Sequence, residues 1–149
     1  MFGTLTGIEI EALIHREFIG RIGCHAEDVT YVVPISYVYD GEYVYGHSFE
    51  GMKVNMMRKN PKLCFEVDDM HNMANWQSVI ITGAFHELKG KEAGKARDYL
   101  FEHVLPLMTS STIHPHEHQV TGKIDDSNRI KPVMYKIKIK EKSGRFEKQ

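Results

Sequence analysis

The sequence predicts an α+β fold, mainly β: about six antiparallel strands in two groups, on a barrel or closed sheet, with two or three helices outside. After Phe18 the apolar spacing changes from a helical period to a period of two. Asp40-Gly41 stands between two β-branched and aromatic runs as a hairpin turn. From Pro132 to Lys140 apolar residues alternate with lysines, the pattern of a strand with one buried face.

At 149 residues, one domain spanning 1–149 is expected. A chain of that length buries roughly 70% of its unfolded surface, so its core needs neither disulfide nor metal. The composition is 42% hydrophobic and 26% charged, which is globular usage. A net charge of −1 gives no overall steering toward nucleic acid or an anionic membrane, although a local basic pocket stays open. The start, Met1-Phe2-Gly3-Thr4-Leu5, has neither the basic nor the apolar region of a secretion leader. Nor does any stretch reach the roughly 18 apolar residues of a membrane span. A cytoplasmic protein is therefore expected, with Cys24 and Cys64 as free, buried, inert thiols.

The first element is helical. Thr6 and Glu9 have capping-box spacing, and Ile10, Leu13, Ile14 and Phe18 form one apolar stripe. Ile19 to Ala26 reads as a strand, with Glu27-Asp28 as its turn. Thr30 to Tyr39 follows as a strand with Tyr31, Val33, Ile35, Tyr37 and Tyr39 on one face, and Glu42 to His47 returns after the hairpin. Ser48 to Gly51 breaks the pattern, Met52 to Lys59 is a short helix, and Asn60-Pro61 ends it. Lys62 to Val67 is the next strand, followed by an acidic, polar loop. Trp76 to Leu88 is a long strand with a bulge or bend expected at Gly83. Lys91 to Leu107 is a second amphipathic helix, burying Ala96, Tyr99, Leu100, Val104 and Leu107. In the last strand Val133, Tyr135, Ile137 and Ile139 face inward, while Met134, Lys136, Lys138 and Lys140 face water.

Chemistry concentrates between Tyr31 and Val67. Pro34 cannot donate to a ladder, so its strand is either an ordinary edge or one that lines a ligand with its free backbone groups. Gly51-Met52-Lys53 opens a helix, where unpaired N–H groups, the dipole and a lysine together suit a phosphate; a solvated lysine is the plainer alternative. His114, His116 and His118 alternate on a loop and could ligate zinc, copper, nickel or haem iron, although no second cluster completes a site. His71, in the loop before Trp76, reads as an exposed side chain near the possible ligand.

The run Val32-Val33-Pro34-Ile35-Ser36-Tyr37-Val38-Tyr39-Asp40-Gly41 is followed by Tyr45-Gly46-His47-Ser48, Gly51-Met52-Lys53 and Asn60-Pro61-Lys62-Leu63-Cys64-Phe65-Glu66-Val67. With Trp76-Gln77-Ser78-Val79-Ile80-Ile81-Thr82-Gly83 and the continuation Ala84 to Leu88, it resembles the pyridoxamine 5′-phosphate oxidase-like FMN-binding split-barrel superfamily, in its short nitroimidazole-reductase-like branch. The resemblance runs over residues 5 to 140 and implies a six-stranded antiparallel split β-barrel with flanking helices.

It further implies FMN between the two subunits of a homodimer. Val33, Pro34, Ile35 and Ser36 would face the flavin ring, His47 and Ser48 the ribityl chain and phosphate, and Lys53 the phosphate. Ser78, with Gln77 beside it, would add a polar side chain to the flavin. Trp76 would stack on the ring or pack in the dimer interface, and packing is the expectation. Two departures stand out: Met52 replaces an arginine of the parent oxidase, and the tail from Lys142 to Gln149 lacks the parent's tryptophan- and arginine-bearing segment. Pyridoxamine phosphate oxidation is therefore not expected. The implied activity is an FMN-dependent oxidoreductase passing electrons from NAD(P)H to a small acceptor such as a nitro-aromatic or quinone, with no catalytic side chain required. A flavin- or haem-binding carrier, or a reductase using the deazaflavin F420, are the alternatives.

Overall fold

The structure is a computed structural model and describes residues 1–104 and 132–149. The chain runs β1 (Phe2–Thr4), α1 (Gly7–Arg16), β2 (Ile19–Ala26), β3 (Val29–Ser36), β4 (Val38–Tyr39), β5 (Tyr43–Phe49), α2 (Met52–Lys59), β6 (Lys62–Asn72), β7 (Asn75–Leu88), α3 (Gly90–Val104) and β8 (Pro132–Glu147). The strands form one antiparallel sheet in the order β3-β2-β6-β7-β8-β5-β4, with β1 added to β8.

That order dictates the shape. β3 and β4 lie at opposite ends of the sheet, yet only Tyr37 separates them in the chain. A single residue cannot bridge a flat sheet of this width, so the sheet must curl until its two edges meet. β3 then stands beside β5 across a gap that no ladder closes. The mainly β split barrel with flanking helices is what the resemblance implied.

Among the described residues eight strands replace the expected six, and one sheet replaces two groups. Phe2–Thr4 is too short to carry a period, and the run Thr30 to Tyr39 divides at Tyr37 into β3 and β4. Tyr37 is anchored at that break: its N–H donates to the Phe18 carbonyl at 3.1 Å and its buried hydroxyl to the Ile14 carbonyl at 2.7 Å. The expected acidic loop after Val67 is instead the second half of β6, where Arg21 and Arg16 pair with Asp68 and Asp69. The tail from Lys142 likewise continues β8, held between β7 and β1. Ser48 and Phe49 belong to β5, not to a break.

Local signals behave as chemistry requires. Thr6 and Glu9 form the reciprocal capping box of α1. Glu27 and Asp28 make a two-residue turn with φ of 51° and 64°, the left-handed pair that matches hairpin twist. Asp40 accepts the N–H groups of Glu42 and Tyr43 in the next turn. At Gly83 the register shifts as expected, but the extra residue is Lys140 on β8, since Thr82 pairs with Glu141 and Gly83 with Ile139.

The barrel interior holds Leu13, Ile14, Ile22, Phe65, Val79 and Tyr135, all buried. A second cluster, Val38, Leu88, Leu100, Val104 and Met134, lies under α3. Met134, expected to face water, is buried there because α3 covers the outer side of β8. Phe18, expected on the α1 stripe, lies beyond the helix end and is exposed. Cys24 is buried, but Cys64 is exposed on the outer face of the sheet and so is not the buried thiol expected. Leu107 and the histidines at 114, 116 and 118 lie outside the described residues.

Candidate functional site

β3 is an edge strand, and the hydrogen bond of Tyr37 to Phe18 fixes which of its groups are spent on β2. In an antiparallel pair, every second residue bonds its partner. Tyr37 faces β2, so Ile35 and Val33 do too, opposite Gly20 and Ile22. Pro34 falls on the other phase, where its missing N–H costs the ladder nothing. The backbone groups of Val32, Pro34 and Ser36 therefore point at the gap: carbonyls at all three and N–H groups at Val32 and Ser36. Pro34 thus lies on an edge strand, as the plainer reading has it, with the free groups of that strand turned toward an opening.

Across the gap runs the end of β5. Gly46, His47 and Ser48 pair with Tyr135, Met134 and Val133 of β8, leaving their other edge toward β3. Strand alternation sends His47 and Ser48 to opposite faces. His47 packs edge-on against Phe101 of α3, ring centroids 5.5 Å apart, and Ser48 takes the barrel side. Gly46 is fixed by contact: a Cβ there would lie 2.8 Å from the buried Tyr135 hydroxyl. That hydroxyl has no hydrogen-bond partner among the described residues.

β5 leads straight into α2, whose N-cap, Gly51, supplies no side-chain bond to the first turn. Lys53 sits in that turn, half-buried, within electrostatic reach of the Cys24 thiol on β2. Burial holds its ammonium below the ordinary lysine pKa, and among the described residues no carboxylate pairs with it. A desolvated cation next to uncapped helix N–H groups is chemically suited to a phosphate or another anion. Met52 is exposed, and no arginine takes the place it vacates in that turn.

Val33, Pro34, Ile35, Ser36, His47 and Ser48 thus flank the split, and Lys53 lies in the first turn of the helix that follows β5, near Cys24 of β2. Gln77 and Ser78 do not flank it. They lie on β7, and Ser78 is level with Ser36 three strands away, about 14 Å at normal strand spacing. Gln77 accepts a 3.5 Å bond from Arg16, while Ser78 donates to Glu66 at 2.8 Å. Arg21 lies 3.1 Å from Asp68 and 3.5 Å from Glu66. Burial raises the Glu66 carboxyl above its usual range, and a hydrogen bond and charge from Asp68 add to the rise.

This Arg21–Glu66–Asp68 cluster was not anticipated. No local signal marked it, because the alternation that carries Phe65 and Val67 inward breaks at Asp69. Trp76 donates to Glu147 at 3.1 Å and meets Phe2 edge-on, and His71 sits 3.4 Å from Asp69. Trp76, Glu147, His71 and Asp69 border a pocket of about 310 Å³ together with Arg16, Gln77 and Lys148.

Similar proteins agree with this architecture. A family model for pyridoxamine 5′-phosphate oxidase matches residues 8–146. An uncharacterised protein of Rhizobium meliloti (strain 1021) is 32% identical over 80 residues, 54% of this chain and 53% of that protein; the match thus spans about half the length of this curated relative. The crystal structure of a FAD-binding protein from Mesorhizobium loti superposes with a TM-score of 0.76 and 26% identity, covering 100% of this chain and 98% of that one. A proposed 5-nitroimidazole antibiotic resistance protein from Bacteroides thetaiotaomicron gives 0.70 and 18%, covering 98% and 87%; at that identity it speaks for the fold alone.

Proposed function

The chain belongs to the pyridoxamine 5′-phosphate oxidase family, and from that premise we propose that it binds a flavin, FMN, at the split between β3 and β5. The observation that carries this reading is Lys53, a half-buried ammonium in the first turn of α2, which follows directly on β5, with no carboxylate partner among the described residues. Lys53 and the first-turn N–H groups of α2 would hold the phosphate. Ser48 would border the ribityl chain, with His47 at its margin, and the Ser36 N–H and the Pro34 carbonyl would bond the polar edge of the ring. A flavin supplies hydride and electron transfer when bound; the protein supplies position and a matched set of donors. The fit is incomplete at Met52, which offers no second cation, so retention depends heavily on Lys53.

The proposed activity is transfer of electrons from NAD(P)H to a small organic acceptor, a nitro-aromatic or quinone. A homodimer belongs to the same proposal. Gln77 and Ser78 lie about 14 Å from Ser36 on one chain, so a second copy is the means of bringing them to the ring. The outer face of the sheet supports pairing, since Val32, Ile19 and Ile80 are exposed there. The free thiols of Cys24 and Cys64 suit a reducing cytoplasm.

FAD is the second reading, favoured by the Mesorhizobium loti protein, which binds it at 26% identity. Heat-released cofactor from the purified protein, identified by visible spectrum and mass, separates the two. FMN that NAD(P)H bleaches anaerobically supports the oxidoreductase; FAD replaces FMN in the reading; a flavin that does not bleach leaves a carrier. A colourless protein that takes up neither flavin on titration ends the proposal.

A further inference from the structure

The register shift between β7 and β8 shapes the sheet away from the split. Lys140 is the extra residue, opposite no partner between Thr82–Glu141 and Gly83–Ile139. Gly83 presses so closely on β8 that a Cβ there would lie 2.3 Å from the Lys138 carbonyl oxygen. In a regular strand Lys140 and Glu141 would point to opposite faces. The bulge removes that alternation, and Lys138, Lys140 and Glu141 all border one groove of about 860 Å³. Bulges commonly re-aim side chains beside sites in this manner.

The groove has a definite chemistry. Leu63, Ala84 and Ile139 contribute apolar surface, while Lys62 from β6 and His25 from β2 join the two β8 lysines on its rim. Three lysines thus face one carboxylate, Glu141, and among the described residues none of the three lysines enters an ion pair. Its volume falls in the range of small-molecule sites. We propose that this groove is a second binding site, taking a small organic anion with an apolar body, such as an aromatic carboxylate. Lys138 and Lys140 would meet the anionic group, and Ala84 and Ile139 the hydrocarbon. The site shares no residue with the split, so it stands whether or not a flavin binds there.

The test uses the full chain as purified, with 2-naphthoate as probe and 2-naphthalenemethanol as its neutral counterpart. Calorimetric titration should give naphthoate binding at least about tenfold tighter than the alcohol, the factor expected of a charge contact worth about 1.4 kcal/mol. Amide shifts should centre on Lys62, Thr82 to Ala84 and Lys138 to Glu141. The double variant Lys138→Glu, Lys140→Glu, checked for folding by circular dichroism, should lose about tenfold or more in naphthoate affinity while binding of the alcohol is unmoved. Equal binding of acid and alcohol, shifts centred elsewhere, an unaffected double variant, or a groove covered by self-association of the chain would each overturn the assignment.

Discussion

The β3–β5 split and the β7–β8 seam belong to one sheet and treat their backbone groups in opposite ways. Along the seam β7 and β8 pair from Trp76–Glu147 to Leu88–Met134, interrupted only at Lys140. At the split, Pro34 removes a donor on the side where no partner strand comes among the described residues, and Val32 and Ser36 keep theirs out of any ladder there. An unpaired backbone group is tolerable at an opening and costly inside. The seam therefore bears the load of the fold, and the split remains available to a ligand. If that division is right, substitutions on the two sides should separate stability from cofactor retention.

The largest effect is expected on the seam. Gly83→Ala forces a Cβ against a backbone oxygen that cannot rotate away, at a cost of about 3 kcal/mol, the upper end of ordinary overpacking. A lower urea midpoint at unchanged slope would register it. A variant as stable as the parent would mean that the seam is not the rigid half.

Lys53→Ala should do the reverse. Loss of a charge-assisted phosphate contact, worth about 1.5–3 kcal/mol, should weaken flavin retention roughly tenfold or more. The apoprotein should be no less stable, because the ammonium removed is half-buried and has no carboxylate partner among the described residues. Flavin titration of both proteins reads the first effect and urea unfolding the second. Unchanged affinity would remove the phosphate assignment.

Thr6→Ala is a control on neither side. It breaks the α1 capping box and should cost about 1 kcal/mol, leaving flavin affinity as it was. If affinity fell with it, retention would track global stability, and the contrast between split and seam would lose its meaning.

The smallest effect is a pH dependence. Burial lowers the Lys53 pKa in the folded chain, so between that value and the ordinary lysine value the unfolded state binds more protons. The penalty for burying the ammonium is present below the folded pKa and is relieved as pH rises through it. Apoprotein stability should thus rise on the alkaline side relative to Lys53→Met, and a bound phosphate should abolish the difference. Parallel urea midpoints for the two proteins across that window would count against an unpaired buried lysine.

Local chemistry made much of this legible in the sequence. The start of the helix Gly7–Arg16, the end of the helix Met52–Lys59 and the strand Ile19–Ala26 follow from capping, proline and period-two signals that operate within a few residues. The burial of Met134 and the strand character of Asp68 to Asn72 were not legible, because each depends on a distant partner. α3 covers the one, and the arginines of α1 and β2 neutralise the other. The site was legible in part. Pro34 and Lys53 announced themselves by residue type, but the phase of β3 follows only from the Tyr37–Phe18 hydrogen bond. The distance of Gln77 and Ser78 from Ser36 needed the strand order.

Hydrogen exchange at the Ser36 amide, with and without FMN, tests the central claim most directly. That N–H points into the split and lacks a ladder partner, so it should exchange rapidly in the apoprotein and slow by about a hundredfold when FMN is bound. The Ile35 amide, turned toward β2, should be slow in both states. Bound FMN with Ser36 exchanging as fast as before would contradict the assignment of the free edge of β3 as the flavin's seat.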